Sequence, residues 1–347
     1  MRNARGSTIK DRPKFFSDGF CLFSDRDLNE VRTVVQAFIQ NAEGLYVCRC
    51  NPPGATYIVV YAPVYHDLGG RDVFRKRKSR GRLNRKTIQR KPMIPRLVNH
   101  PAPVVSIIIP AMNEKATLRG VLREAGQVHP RSETIVVANG STDGTAEVAE
   151  KCGARVIRTA EPLGHDVGRR VGAEAARGSV LLFMDADMII PARELRPFVE
   201  SVLSGVDVAL NGYSGPVNLK DTHPVVLAKH ALNALLSRSD LTGASLTAVP
   251  HALSRQAAEQ IGLEALEVPP LAQVKAILLG LNVRAIHTVP VGKLNPVRGR
   301  RRENGKRHDP LTTLVVGDHL EAVHWLISRQ GLRGGFGDLG RQRSKVR

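Results

Sequence analysis

The chain of 347 residues carries 51 Lys and Arg against 32 Asp and Glu, which gives a formal net charge of +19 at pH 7. This excess favours polyanionic partners, namely nucleic acid, an anionic membrane surface or phosphorylated substrates. Hydrophobic residues make up 42% of the chain and aromatic residues 4%, so the sequence predicts a globular core built mainly from aliphatic side chains.

Four cysteines are too few for a disulfide framework and fit a reducing compartment. No apolar run approaches the roughly 18–20 residues that a membrane-spanning helix needs. The basic N-terminus also lacks the apolar stretch of a secretion signal. We therefore expect a cytoplasmic protein whose basic segments are candidates for peripheral contact with the inner face of an anionic membrane.

Residues 1–70 are predicted to form a small α+β module. A cap signal at Ser24 or Asp25 precedes apolar residues at helical spacing, and "LYVCRC" and "TYIVVYAPV" flank a turn containing Pro and Gly. Residues 71–101 form a basic linker with few acidic partners. It is interpreted as a solvated linker or as an attachment to anionic lipid, and nucleic acid ranks lowest because aromatic residues are not interleaved with the charges.

From about Val104 the pattern changes to alternating strands and helices. The strand candidates are "VVSIIIP", "ETIVVA", "ARVIRTA" and "SVLLFMD", and segments with helical spacing separate them. This alternation predicts βαβ units and an α/β domain, residues 102–300, with a mostly parallel central sheet. Ligands of such sheets bind beyond the carboxyl ends of the strands.

Polar motifs follow the first two of these strands. Pro110 is expected to mark the exit from sheet pairing, and Glu114 lies near the start of the next helix, where capping alone explains an acid equally well. After the second strand, Asn139-Gly140 predicts a tight turn. Exposed backbone N–H groups in this turn are suited to polar or anionic ligands, although a plain turn with a helix cap at Ser141, Thr142 or Asp143 explains the same residues.

Charged residues follow the later strands. Gly164 permits close backbone approach, and Arg169 and Arg170 lie in the first turns of a helix, the unfavourable end for a cation. A bound anion explains this position, and ordinary surface charges are the alternative. Asp185 and Asp187 follow a buried strand, where two carboxylates repel unless a divalent cation binds them together with substrate phosphates.

Taken in order, "SIIIPAMNE", "VVANGSTDGT", "GRRVGAEAARG" and "LLFMDADM" resemble the family-2 glycosyltransferases of the GT-A fold. The resemblance implies a GT-A-type nucleotide-binding fold. It also implies a metal-dependent transferase with a nucleoside-diphosphate sugar, linked to UDP or GDP, as donor and with Mn²⁺ or Mg²⁺ as cofactor. The residues expected to bind the nucleotide sugar are Pro110, Ala111, Glu114, Asn139, Gly140, Ser141, Gly164, Arg169, Asp185 and Ala186.

By the same resemblance, Asp187, Arg169 and Glu267 are the expected catalytic residues. Asp185 and Asp187 are the expected metal ligands, with His287 as a third ligand or, alternatively, a packed histidine. Many inverting members carry a Glu-Asp pair where this chain has Glu267-Val268. Three explanations stay open: Glu264 or Glu267 substitutes for the base, the acceptor is already ionised, or the enzyme retains the sugar's configuration.

The remaining segments extend these expectations. Residues 301–347 contain a basic segment, a helix that begins at Asp309-Pro310, and a basic tail. The acceptor is open among phosphorylated molecules, lipid-linked molecules and polysaccharides, and a homodimer is also open. The competing hypothesis is a non-catalytic protein that binds nucleotides or polyanions with a degenerate glycosyltransferase fold. The apolar stripe predicted for the C-terminal helix consists of Leu311, Leu314, Leu320, Val323 and Leu326.

Overall fold

A computed structural model of the chain describes residues 20–22, 46–50, 57–61, 96–217, 222–294, 309–338 and 340–342. The helix predicted after Ser24, most of the basic linker and the basic run at 297–308 lie outside the described residues. Three short strands are described near the N-terminus and pair antiparallel in the order β1-β3-β2. The β2–β3 pair confirms the predicted hairpin. The strands are β1 Phe20–Leu22, β2 Tyr46–Cys50 and β3 Tyr57–Tyr61.

A seven-stranded mixed sheet forms the centre of the α/β fold. Its strand order is β10-β8-β9-β7-β4-β5-β6. The short strand β9 runs antiparallel to both β7 and β8, whereas the other neighbouring strands pair parallel. The prediction of a mostly parallel sheet is confirmed. The strands are β4 Val105–Ala111, β5 Ser132–Asn139, β6 Arg155–Thr159, β7 Val180–Phe183, β8 Val208–Asn211, β9 His251–Ser254 and β10 Val283–His287.

Helices connect these strands, as the alternating pattern predicts. Among the helices that the structure describes, none is at once long and apolar enough to cross a membrane. The helices are α1 Lys115–Ala125, α2 Thr145–Cys152, α3 Val167–Ala175, α4 Ala192–Leu203, α5 Pro224–Leu235, α6 Arg255–Ile261, α7 Pro269–Leu278, α8 Val291–Leu294 and α9 Pro310–Gln330.

Helices cover both faces of the sheet, and this explains the continuous apolar strands. Within β4, Ile107 and Ile108 point to opposite faces and belong to two different core clusters. Leu118 of α1 packs on the first face, and Ala173 of α3 packs on the second. Burying one such large aliphatic side chain contributes roughly 1.5–3 kcal/mol. A strand that is covered on both faces therefore carries apolar side chains at successive positions instead of alternating with polar ones.

The strand β4 continues one residue beyond the predicted exit at Pro110. Pro110 is paired in register with Val137 of β5, and β4 ends at Ala111. The N–H of Met184 donates to the carbonyl of Ile108, so the backbone of Ile108 and of Pro110, two residues later, faces β7. Because β7 pairs with β4 only as far as Ile108, the missing N–H of proline removes no sheet hydrogen bond.

The C-terminal helix α9 is present where predicted, but its buried face differs from the predicted stripe. Asp309 caps it by accepting hydrogen bonds from the N–H groups of Leu311 and Thr312, each at 3.3 Å. Leu314 and Leu320 are 44% and 49% exposed, because the neighbouring helices α5 and α7 cover another side of α9. The buried residues of α9 are Val315, Val316, His319, Ala322 and Leu326.

Candidate functional site

The candidate site lies along the sheet edge where the parallel strands end. The loops that follow β4, β5, β7 and β8 all leave the sheet at this edge, because these strands run in the same direction. The antiparallel strand β9 begins at the same edge with His251. This is the edge at which open α/β sheets bind their ligands.

The first two loops are bonded to each other. The hydroxyl of Ser141 donates to the carbonyl of Ala111 at 3.1 Å, and it accepts from the N–H of Asn113 at 3.2 Å. The side chain of Asn113 in turn accepts from the N–H of Thr142 at 2.9 Å. Ala111 and Ser141, both predicted to bind the nucleotide sugar, are therefore joined by a hydrogen bond between the two loops.

The side chain of Asn139 shapes the next loop. Its amide nitrogen donates to the carbonyl of Gly164 at 3.0 Å, and its oxygen accepts from the N–H of Leu163 at 2.6 Å. Gly140 adopts a φ of +62°, and an added Cβ there would lie 2.7 Å from the nitrogen of Pro162. The predicted turn at Asn139-Gly140 is confirmed, and the amide of Asn139 holds the Gly164 loop against it.

Arg169 is the central cation of this edge and is only 4% exposed. Its guanidinium lies 3.1 Å from Oδ1 of Asp166 and 3.8 Å from Oδ1 of Asp185. It also donates to the carbonyl of Leu246 at 3.3 Å. Arg169 on α3 therefore connects the end of β7 to the loop before β9. Arg170 fits the alternative of ordinary surface charges, because it pairs with carboxylates elsewhere.

Burial raises the pKa of Asp166, and the charge of Asp185 raises it further, whereas Arg169 and His165 lower it. Asp166 has a φ of +62° and immediately precedes α3. A residue other than glycine in this conformation is uncommon. The local backbone thus directs a carboxylate onto the guanidinium of Arg169, and the pair is removed from solvent together.

The loop with Asp185, Ala186 and Asp187 is attached to α1. The hydroxyl of Thr117 donates to the carbonyl of Ala186 at 2.7 Å and lies 3.1 Å from Oε2 of Glu114. Asp185 and Asp187 are partly buried on either side of the buried Ala186. Glu114 therefore lies beside the two aspartates' loop as well as at the start of α1.

Residues 106–249 match the protein-family model described as glycosyl transferase family 2. These residues form a family-2 glycosyltransferase domain. A 4,4'-diaponeurosporenoate glycosyltransferase of Staphylococcus haemolyticus is 28% identical over 145 residues, which cover 40% of this chain and 37% of that protein. The glycosyltransferase AglE of Haloferax volcanii is 34% identical over 130 residues, which cover 35% of this chain and 41% of that protein.

A third relative is an undecaprenyl-phosphate 4-deoxy-4-formamido-L-arabinose transferase of Pseudomonas aeruginosa, 34% identical over 31% of this chain and 35% of that protein. The chain thus matches well under half the length of each of these relatives. A crystal structure of glucosyl-3-phosphoglycerate synthase from Mycobacterium tuberculosis, in complex with Mn²⁺, UDP and glucosyl-3-phosphoglycerate, is also similar. It has 22% identity and a TM-score of 0.47 over 69% of this chain and 82% of that one.

Glu267 and Glu264, the candidate bases, both pair with cations. Glu267 ends a short 3₁₀ turn before α7, and its Oε1 lies 3.0 Å from the guanidinium of Arg170. Glu264 lies 3.3 Å from the ammonium of Lys275. Glu267, which lies beyond the residues matched by the family model, thus contacts α3 one residue after Arg169, whereas Glu264 is exposed on the surface.

His287 was predicted either as a third metal ligand or as a packed histidine. His287 at the end of β10 makes a 2.7 Å hydrogen bond from Nε2 to Glu194 of α4, and its ring lies 6.2 Å from that of Phe198. In the part of the chain that the structure describes, no three His, Cys, Asp or Glu side chains form a group able to hold a metal ion. The contacts with Glu194 and Phe198 of α4 favour the packed histidine.

Sequence reasoning missed two acidic residues: Asp166, which pairs with Arg169, and Asp318. Asp166 had a local signal, because it directly precedes a helix with arginine three positions later. Asp318 had none, since only the packing of α9 brings it close. Burial raises the pKa of Asp318 to about 6, and the charges of Asp166 and Glu321 contribute to the increase. The C-terminal helix therefore adds a carboxylate to the electrostatic environment of the site.

Proposed function

We propose that the chain is a metal-dependent glycosyltransferase that uses a UDP- or GDP-linked sugar as donor. The observation that carries this proposal is the buried Arg169 beside Asp185 at the exit of β7. A buried cation next to adjacent carboxylates provides charges of both signs for a diphosphate and its counterion. The family-2 domain and the position of these residues at the ligand-binding edge support the assignment.

The donor set at this edge suits a small divalent cation. Mg²⁺ and similar ions are commonly held by one or two carboxylates together with substrate phosphates. Asp185 and Asp187 supply such a pair of carboxylates without requiring His287. When bound, Mn²⁺ or Mg²⁺ supplies Lewis-acid stabilisation of the diphosphate, an effect worth several kcal/mol.

The residues of the chain perform the remaining tasks. Arg169, held in place by Asp166 and the carbonyl of Leu246, provides a fixed positive charge for the departing diphosphate. His251 is buried beside it, and burial together with the charge of Arg169 lowers the pKa of His251 to about 3. The histidine is therefore neutral at pH 7 and does not compete with Arg169 for the anion.

In the transfer step, an acceptor oxygen forms a bond to the anomeric carbon of the sugar. The bond from that carbon to the diphosphate oxygen breaks, and its electron pair leaves with the nucleoside diphosphate. Because Glu267 is paired with Arg170, an acceptor oxygen that is already ionised is the simplest partner. The acceptor thus belongs among the phosphorylated or lipid-linked molecules left open by the sequence.

Calorimetric titration with UDP or GDP, with and without Mn²⁺, tests the site. Metal-dependent binding is expected in the wild type and in Glu200→Gln, an exposed control on α4. The substitution Asp187→Asn, which removes one carboxylate charge, is expected to abolish that metal dependence while the circular dichroism spectrum is unchanged.

Wild-type binding by Asp187→Asn would show that the metal site is wrongly assigned. A screen of nucleotide sugars for metal-dependent hydrolysis then tests catalysis without knowledge of the acceptor. Binding of UDP or GDP without turnover of any sugar nucleotide would favour the non-catalytic alternative.

A further inference from the structure

A second buried cation lies on α5, outside the residues assigned to the nucleotide sugar. Lys229 is 5% exposed, and its ammonium donates to the carbonyl of Tyr213 at 3.1 Å. Among the described residues, no carboxylate forms an ion pair with Lys229. Lysine is almost never buried in this way without a partner of opposite charge.

Lys229 lies at the same sheet edge as the candidate site. Its hydrogen-bond partner Tyr213 follows the end of β8 by two residues, and the N–H of Tyr213 donates to Asn211, the last residue of that strand. Since β8 runs parallel to β7 through their shared antiparallel neighbour β9, the ends of both strands open to one side. The carbonyl that Lys229 contacts therefore lies at the same end of the sheet as the candidate site.

Two histidines near Lys229 have a buried ring nitrogen without a partner. His319 of α9 is 2% exposed, and its Nδ1 is bonded to the carbonyl of Val315 at 2.7 Å, while its Nε2 has no hydrogen-bond partner. The Nε2 of His230, which follows Lys229 on α5, is likewise buried without a partner. A buried polar atom without a partner costs about 1–3 kcal/mol, so two of them beside one unpaired ammonium require an explanation.

Helices α5 and α9, which carry the three groups, pack against each other through a buried cluster that contains Leu232 and Ala322. Burial lowers the pKa of Lys229 to about 8. Burial also lowers the pKa of His319 to about 4, and the charge of Lys229 contributes to this decrease. The pKa of His230 is lowered by the same two causes. A bound anion would oppose all three decreases in pKa, because it favours the protonated form of each group.

A purely structural role explains only part of this arrangement. The hydrogen bond to Tyr213 connects α5 to the loop after β8, but it uses one of the three N–H donors of the ammonium. A neutral donor such as glutamine would make the same connection without burying a charge. The ammonium also lies 6.0 Å from the centroid of the Tyr213 ring, but neither contact involves the Nε2 atoms of the two histidines.

We propose that Lys229 and His319, with His230 beside them, bind a phosphate group of the acceptor. This inference rests on the proposed function, because only a transferase has an acceptor. It adds a phosphate site that is separate from Asp185, Asp187 and Arg169. The ammonium donates to phosphate oxygens. Nε2 of His319 accepts from a protonated phosphate oxygen or, once the anion raises its basicity, donates to an ionised one.

Calorimetry with inorganic phosphate, in the presence of UDP and Mn²⁺ to fill the donor site, tests the proposal. The substitution Lys229→Met keeps most of the length of the unbranched side chain and removes its charge. It is expected to weaken phosphate binding by at least about tenfold. The exposed lysine of α2 provides the control Lys151→Met, which is expected to bind phosphate as the wild type does. Equal affinities in the wild type and in a folded Lys229→Met would overturn the proposal.

A second variant protects the test against loss of the fold. His319→Gln keeps a donor for the carbonyl of Val315 but removes the imidazole, and we expect it to weaken phosphate binding as well. Far-ultraviolet circular dichroism establishes which variants are folded. If Lys229→Met is unfolded and His319→Gln is folded with unchanged phosphate affinity, the site is also wrongly assigned.

The source of the phosphate is decided by paired ligands. Glycerol 3-phosphate against glycerol tests a water-soluble acceptor, and farnesyl phosphate against farnesol in the same detergent tests a lipid-linked one. Binding that depends on both the phosphate and Lys229 supports the site, and the tighter member of the two phosphates identifies the source. Equal binding of the phosphorylated and unphosphorylated forms of both ligands contradicts a phosphate site.

Failure of this inference and failure of the proposed function give different results. If UDP and GDP bind with metal but phosphate affinity is independent of Lys229, the donor site stands and the phosphate site is wrong. If neither nucleotide binds but phosphate binding requires Lys229, the anion site stands. The glycosyltransferase assignment is then wrong, and the bound phosphate does not belong to a sugar acceptor.

Discussion

Arg169 illustrates how a single residue acquires its role from its surroundings. At the start of a helix an arginine is unfavourable, because the helix dipole is positive there. The structure compensates with the carboxylates of Asp166 and Asp185 at 3.1 and 3.8 Å. The sequence indicated that an anion was needed, but it could not distinguish a ligand from the protein's own acids.

Two helical glycines provide a residue-scale prediction. An added Cβ at Gly172 of α3 would overlap Cγ2 of Ile108, a fully buried strand residue. At Gly120 of α1, the added Cβ meets the end of the Ile189 side chain, which is 43% exposed and can move. We expect Gly172→Ala to lower the free energy of unfolding by about 1–3 kcal/mol. We expect Gly120→Ala to leave it unchanged or to raise it by up to about 1 kcal/mol.

Urea denaturation of the two variants measures this difference. Because α3 carries Arg169, Gly172→Ala is also expected to weaken metal-dependent binding of UDP or GDP, whereas Gly120→Ala is not. Equal stabilities of the two variants would show that α3 is able to move away from β4 without a decrease in the free energy of unfolding.

At the scale of elements, Asp143 connects two helices. Its carboxylate accepts from the N–H of Thr145 at 2.9 Å and from the N–H of Lys115 at 3.1 Å, and these residues begin α2 and α1. The pKa of Asp143 is lowered, chiefly by its hydrogen bond with the Thr145 hydroxyl. The sequence predicted a cap for α2 among Ser141, Thr142 and Asp143, but the bond to α1 depends on the packing of the two loops.

The shared carboxylate leads to an element-scale prediction. Asp143→Ala is expected to lower the free energy of unfolding by about 1–2 kcal/mol, because both helix starts lose an acceptor. Asp143→Asn keeps an acceptor oxygen and is expected to lose less. Thermal and urea denaturation of both variants, with hydrogen exchange at Lys115 and Thr145, provides the measurement. Protection lost only at Thr145 would contradict the shared role.

The C-terminal helix shows the limit of hydrophobic periodicity. Its start at Asp309 was predicted from the cap and the proline, which act locally. Its buried face was not, because Leu314 and Leu320 stay exposed while His319 and Ala322 face α5 and α7. The neighbouring helices determine which side of an apolar helix is covered, and the local sequence pattern does not predict their positions.

At the scale of the whole molecule, buried ionisable groups act on stability in opposite directions. His251 and His319 have pKa values of about 3 and about 4 in the folded protein, below the unfolded value of about 6.5. Their contribution to stability is present above pH 6.5 and is lost as the pH falls toward the folded pKa, because the unfolded chain binds protons first. Asp318 has a raised pKa of about 6. Its contribution to stability therefore increases as the pH falls below about 6, because the folded protein binds this proton before the unfolded chain does.

A comparison of the wild type with a variant isolates the contribution of one histidine to the pH dependence of stability. We expect the stability of the wild type relative to His251→Gln to decrease by about 1–2 kcal/mol between pH 6.5 and pH 5, because the unfolded chain takes up a proton on this histidine and the folded protein does not. Urea denaturation at several pH values measures it. The control is the substitution His324→Gln on the exposed side of α9. A pH-independent difference for His251→Gln would mean that this histidine is not buried in its neutral form.

The sequence by itself determined the parts of this protein that depend on local pattern. The apolar runs predicted β4, β5, β6 and β7, and the order of motifs predicted the family-2 domain that the comparison confirms. Glycine and asparagine predicted the turn at Asn139-Gly140, because few other residues adopt a positive φ. These features need only neighbouring residues for their physical explanation.

Only the tertiary structure decided which distant groups meet. Asp318 comes near Asp166, His319 near Lys229, and His287 contacts Glu194 instead of the two aspartates. Each pairing joins residues that are far apart in the chain. It depends on how helices pack on the sheet, a balance of burial and shape that no local pattern contains.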